Sequence, residues 1–177
     1  MNRAKIQGIG YSVPDRIVTN SELEKYMDTS DEWIQSRSGI KERRWVAPGM
    51  GTSDLAIDAS KKAIQMADID PQTIDLIIVG SLTSDYFFPG VSAQVQDALG
   101  ISPIGAFDVK AACSAFIYSL SIGDQFIQTG KYQTVLVIGA EVQSTALDMS
   151  TKGRDMAVLF GDGAGAVILK KHDGDTG

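Results

Sequence analysis

The sequence predicts an α/β layered fold, a mixed and mainly parallel sheet with helices on its faces. Three observations lead there: short unbroken aliphatic runs, amphipathic stretches between them, and the alternation of the two along the chain. The runs at 76–79, 135–138 and 166–169 are β-branched or aliphatic without polar alternation, the pattern of strands covered on both faces. Residues 6–11 read as a further strand of this kind and 106–109 as a short one. Leu55, Ala59, Ala63 and Met66 recur at helical spacing, with Lys61, Lys62 and Gln65 among the intervening positions. They predict a helix over 53–68 that Thr52 or Ser53 can cap. A second helix, over about 90–99, follows Pro89. A third, over about 113–129, carries Phe116, Leu120 and Ile127 on one face before Gly130 stops it. Strands alternating with helices imply right-handed crossovers.

Residues 1–177 read as one domain, because no Pro/Gly/Ser linker, internal repeat or low-complexity tract divides them. The polar segment 172–177 reads as a loop. With 44% hydrophobic residues the chain can bury a core, and its net charge of -6 excludes the broad basic face that nucleic-acid binding needs. Lys41, Arg43 and Arg44 form a local basic cluster, read as a solvated face, with part of an anion patch as the alternative. There is no apolar run of membrane-spanning length and no leader-like start, so the expectation is a soluble, cytoplasmic protein without membrane association. One cysteine and one histidine leave no internal disulfide and no metal-ligand cluster.

That cysteine, Cys113, falls where the short strand 106–109 passes into an apolar helix. A thiol at a helix N-terminus faces unpaired N–H groups and the positive end of the helix dipole, which favour the thiolate. Ala111, Ala112, Ser114 and Ala115 leave room for a substrate arm, and they equally suit a small buried residue in close helix packing. The residues alone leave both readings open. The glycine-rich stretch from Phe160 to Ala166 has G-x-G-x-G spacing and runs into a strand pattern rather than a helix, so it reads as a tight turn or close backbone approach, not a phosphate loop. His172, between Lys171 and Asp173, reads as solvated.

Taken together, several stretches resemble β-ketoacyl-ACP synthase III, a family of thiolase-fold condensing enzymes. They are Gly8-Ile9-Gly10-Tyr11 with Pro14, Thr29-Ser30-Asp31-Glu32-Trp33-Ile34, Arg37-Ser38-Gly39-Ile40, Phe88-Pro89, residues 108–116, and the glycine segment from Phe160. The resemblance extends over essentially the whole chain and matches the N-terminal half of the family. It implies one half of a thiolase-like layered fold, with the C-terminal half outside this chain. It also implies an acyltransferase that condenses acyl-CoA with malonyl-ACP at the start of fatty acid synthesis. Cys113 then takes the acyl group as a thioester, and its backbone N–H contributes to an oxyanion hole. Coenzyme A thioester is a substrate, and no cofactor or metal is implied. The CoA-entry residues map to Thr29, Trp33, Arg37 and Arg154, with Trp33 and Arg154 sandwiching the adenine. Phe88 resembles the residue that reaches across a homodimer interface into the partner's acyl pocket.

Three positions depart from the family pattern: Ala115 where glycine is common, Gln143 where leucine is usual, and Met156 where threonine is frequent. A polar Gln143 near an acyl tail favours short primers. The family's catalytic histidine and asparagine belong to the second half, so this chain alone is expected not to condense. The alternatives are a condensing enzyme of secondary metabolism, a relative of hydroxymethylglutaryl-CoA synthase, or a non-catalytic half-thiolase that serves as an interaction module.

Overall fold

A computed structural model describes residues 3–174. In chain order its principal elements are β1 (Arg3–Ser12), β2 (Arg16–Thr19), α1 (Asn20–Leu23), α2 (Asp31–Ser38), β3 (Glu42–Trp45) and α3 (Thr52–Ala67). They continue with β4 (Leu76–Gly80), α4 (Val91–Ala98), β5 (Gly105–Val109), α5 (Ala115–Gln128), β6 (Thr134–Glu141), α6 (Arg154–Ala157) and β7 (Gly163–His172). Contacts gather these into two compact units. The larger takes the chain up to Ser12, Gly51–Glu141 and the segment from Ala164; the smaller takes Val13–Met50 and Val142–Gly163. Each is assembled from segments distant in sequence, so no linker composition marks the boundaries. Among the described residues no helix is long and apolar enough to cross a membrane.

The larger unit is a five-stranded sheet in the order β1-β7-β6-β4-β5. β4 runs parallel to both β5 and β6, while β1 is antiparallel to β7, which makes the sheet mixed as the sequence predicts. All five residues of β4 are buried, each large side chain contributing about 1.5–3 kcal/mol by leaving water. β1 differs from the expectation of a strand covered on both faces. It is an edge strand, and Ile6, Ile9 and Tyr11 are 50%, 54% and 70% exposed. Its covered face carries Gly8 and Gly10. A Cβ at Gly10 would lie 2.2 Å from the Ala59 carbonyl oxygen, so these glycines and the small residues of α3 let helix and strand backbones meet directly.

The three predicted helices are present, with ends shifted by a residue or two. α3 is not capped by Thr52 or Ser53, which form its first turn. Asp85, far along the chain, accepts hydrogen bonds from both their amides at 2.6 and 2.8 Å. The Gly51 N–H donates to Asp54 at 2.8 Å. In the same way Asp108 accepts from the Val91 and Ser92 amides at the start of α4, at 2.8 and 2.9 Å. α5 ends as predicted at Gly130, in the left-handed region at φ 76°. β7 is longer than the predicted 166–169 and runs to His172, so the loop reading of 172–177 fails at that residue. Residues 175–177 lie outside the described residues.

The smaller unit is built from short pieces. β2 and β3 pair antiparallel. α2 starts at Ser30, whose Oγ accepts from the Trp33 N–H at 3.0 Å, and stops at Gly39 with φ 72°. The core consists of Val18, Leu23, Met27, Ile34, Trp45, Ala157 and Val158. A buried carboxylate ties its edges together: Asp162 accepts from Val46 N at 2.8 Å, Ser144 N at 2.9 Å and the Ser144 hydroxyl. Its neighbour Gly161 lies against the backbone of Arg43 and Arg44, where a Cβ would sit 3.1 Å from the Arg44 oxygen. The glycine segment is thus a close backbone approach.

Candidate active site

Cys113 lies at the C-terminal end of the parallel strands, where α/β sheets commonly open their sites. The chain leaves β5, passes Ala111 (φ −143°, ψ 34°) and enters a 3₁₀ turn over Ala112–Ser114 before α5 begins. Cys113 therefore sits in the turn just ahead of the helix rather than in its first residue. Ala112 has φ 47°, a left-handed conformation that costs an alanine roughly 1–2 kcal/mol and persists only when its surroundings enforce it. The surroundings are specific. Gly80 and Gly139, register partners at the ends of β4 and β6, face the first turn of α5. A Cβ at Gly80 would lie 2.7 Å from the Ala115 carbonyl carbon, and one at Gly139 would lie 3.0 Å from Phe116 Cβ. Two bare strand ends thus let α5 press onto the sheet and fix the turn ahead of it. Ala115 is buried, and the thiol is exposed rather than walled off in hydrocarbon.

Phe88, in the same unit, is 86% exposed and takes no part in the packed core. It follows Tyr86 and Phe87, also exposed, on a loop whose base is pinned at Leu82 and Thr83. There the Glu141 carboxylate accepts from both amides, at 2.8 and 3.2 Å, and from the Thr83 hydroxyl.

The remaining predicted residues belong to the smaller unit, and three of them come together. Trp33 and Arg37 are one helical turn apart on α2, and the Arg37 guanidinium carbon lies 4.3 Å from the indole centroid. Arg154, first residue of α6, brings its guanidinium to 4.4 Å from the same ring and donates to the Asp28 carbonyl at 2.7 Å. Such stacks are typical of arginine on indole. Thr29 adjoins this bond, and its buried Oγ1 has no hydrogen-bond partner among the described residues. A groove of about 340 Å³ opens beside Trp33 and Arg37, lined also by Ile34, Ser38, Asp155, Val158 and Leu159. The sequence gives no sign of Asp155, Val158 and Leu159, because a groove wall made from a short helix has no periodic signature. Gln143 is half-buried and Met156 exposed.

The basic cluster is not a solvated face. Arg43 is buried, and Arg44 donates to the Pro14 and Asp15 carbonyls at 3.3 and 3.1 Å, leaving Lys41 as the exposed member. Among the described residues no group of three or more His, Cys, Asp or Glu is arranged to hold a metal ion.

The family model for 3-oxoacyl-[acyl-carrier-protein (ACP)] synthase III matches residues 107–177, the stretch that contains Cys113. The β-ketoacyl-[acyl-carrier-protein] synthase III of Xanthomonas campestris pv. campestris (strain 8004) is 49% identical over 174 residues, 98% of this chain and 53% of that protein. Among solved structures, the 3-oxoacyl-[acyl-carrier-protein] synthase III of Aquifex aeolicus VF5 superposes with a TM-score of 0.93 at 46% identity, covering 97% of this chain and 55% of that one. The priming β-ketosynthase from the R1128 polyketide biosynthetic pathway gives 0.92 at 34% identity, over 97% of this chain and 51% of that one. The chain spans about half the length of the relatives it matches. The thiolase-like fold follows from these superpositions.

Proposed function

We propose that this chain, which spans about half the length of the relatives it matches, is part of a 3-oxoacyl-ACP synthase III and carries that enzyme's acyl-loading chemistry. The observation that carries the reading is the exposed thiol of Cys113 on an enforced turn ahead of α5. The nucleotide end of an acyl-CoA is held by Thr29, Trp33, Arg37 and Arg154. Arg37 offers its fork to phosphate, and the adenine enters between Trp33 and Arg154 once the guanidinium lifts by about the thickness of a ring, about 3.5 Å. The Cys113 sulfur attacks the thioester carbonyl, with backbone N–H groups of the turn, that of Cys113 among them, facing the developing oxyanion. The C–S bond to Cys113 forms and the bond to CoA breaks. The thiol proton leaves with the CoA sulfur.

In the complete reaction malonyl-ACP then loses carbon dioxide, and the resulting carbanion attacks the Cys113 thioester to give β-ketoacyl-ACP. That step draws on residues beyond those of this chain, so the chain alone loads acyl groups without condensing them. The half-buried Gln143 favours short primers. The exposed Phe88 fits a role across a homodimer interface, where each copy completes the acyl pocket of the other. The protein is assigned to the cytoplasm. The likeness to a polyketide priming synthase favours one second reading, the same acyl transfer with a different acceptor.

Incubation with acetyl-CoA followed by peptide mass spectrometry tests the reading. The expected product is one hydroxylamine-labile acetyl group on Cys113, absent in Cys113→Ala. Acetylation that persists in that variant, or no adduct on an accessible thiol, overturns it. Supplying malonyl-ACP or a polyketide carrier to the acylated full-length enzyme separates the two acceptors.

A further inference from the structure

The cation buried in the smaller unit has no role in the chemistry above. Arg43 on β3 is only 6% exposed, and among the described residues no carboxylate forms an ion pair with it. Its Nη1 donates to the Val18 carbonyl at 3.1 Å, and its Nη2 to the Val158 carbonyl at 3.2 Å and to Asn20 Oδ1 at 2.6 Å. Asn20, 1% exposed, spends both amide hydrogens in turn, on Asp31 Oδ1 and on the Ile40 carbonyl, each at 2.8 Å. Burying a guanidinium against neutral acceptors is costly, and an apolar side chain of similar volume commonly stabilises a core better. What an apolar side chain cannot do is fix several backbone points at once.

The fixed points have a pattern. Asp31 is the first residue of α2 and Ile40 lies two residues beyond its last, so a single side chain, Asn20, holds both ends of the helix that carries Trp33 and Arg37. Val158 directly follows α6, the helix that carries Arg154. Arg43 therefore links the element bearing one face of the stack to the elements bearing the other. We propose that Asn20 and Arg43 are positioning residues for the nucleotide site, setting the spacing of Trp33, Arg37 and Arg154 that an incoming adenine must enter. The inference rests on reading those three residues as the CoA nucleotide site.

The test uses the full chain and CoA itself as the probe, with affinity from calorimetry and acrylamide quenching of Trp33 in a Trp45→Phe background. Asn20→Ala is expected to weaken CoA binding by about ten-fold or more and to raise Trp33 quenching, with far-UV circular dichroism unchanged. Should Asn20→Ala not fold, Asp31→Ala, at an exposed position, cuts the same link and is expected to cost about three- to ten-fold. Glu32→Gln removes a charge from the same helical turn without touching Asn20 and is expected to stay within about two-fold. In a Trp33→Ala background, Asn20→Ala is expected to cost clearly less than in the parent, because one of the groups it positions is gone. Unchanged affinity and quenching in folded Asn20→Ala or Asp31→Ala overturns the proposal. Should Trp33→Ala bind CoA like the parent, the CoA reading fails instead, and the quenching measurement, which needs no ligand, still decides whether Asn20 positions Trp33.

Discussion

In the larger unit, strands β4 and β6 bury aliphatic side chains almost without interruption, and Cys113 stands on a turn that this sheet supports from below. In the smaller unit no element of sheet or helix exceeds eight residues, the apolar core is correspondingly small, and polar side chains buried in it, Asn20, Arg43 and Asp162, hold the pieces together. The difference teaches how each candidate constellation is kept in place. A nucleophile needs one rigid point, which a packed sheet supplies. A stacking site needs several separate elements at fixed spacing, which directional hydrogen bonds set more sharply than hydrophobic contact does.

If that contrast is right, the two units lose stability through different substitutions. The largest effect is expected from Ile138→Ala in β6, which opens a cavity in the sheet core and costs about 4 kcal/mol in urea unfolding followed by far-UV circular dichroism. A cost below about 1 kcal/mol would mean that the sheet is not the larger unit's main support. Asp162→Asn comes next, at about 2 kcal/mol. The amide must turn an N–H toward either the Val46 or the Ser144 amide, leaving a donor facing a donor. Both tryptophans belong to the smaller unit, so their fluorescence is the probe for this loss; no change there would break the comparison.

The smallest effect concerns pH and sharpens the polar side of the contrast. The hydrogen bond from Asn20, then that from Gln35, holds the Asp31 carboxyl below the ordinary carboxylate range, with Lys41 adding to this and burial opposing it. A carboxyl lowered on folding contributes stability at neutral pH that is lost as pH falls through its folded value. Asn20→Ala is expected to move the Asp31 titration upward, toward the ordinary value, when followed by NMR of the side-chain carboxyl. A titration that stays where it was would show that Asn20 does not govern that charge.

The same contrast explains what was legible from residues alone. The runs at 76–79 and 135–138 and the helix at 53–68 have the repeat of a packed element, so the sheet and its helices were readable. Periodicity does not reveal which strand ends up at an edge, so the exposed face of β1 is not legible in its residues. α2 has a single fully buried residue, Ile34, and therefore no apolar stripe to detect. Nothing in Arg43-Arg44 distinguishes the buried member from its neighbour, so the pair reads as solvated cations. The signal for Asp162 was present, a carboxylate between two glycines just ahead of an apolar strand, but a sequence does not show which amides such a group will meet. Trp33, Arg37 and Arg154 came from family resemblance, since their stack joins positions far apart in the chain.

The carboxylates that cap α3 and α4 have a consequence for how the protein is made. Asp85 lies 33 residues beyond Thr52, and Asp108 lies 17 beyond Val91, so each helix emerges from the ribosome ahead of the group that completes its first turn. A lone short helix is marginal in water. Nascent α3 is therefore expected to fray until β4 and the loop behind it emerge. Acquisition of native order in the larger unit then waits on translation of later segments rather than advancing helix by helix.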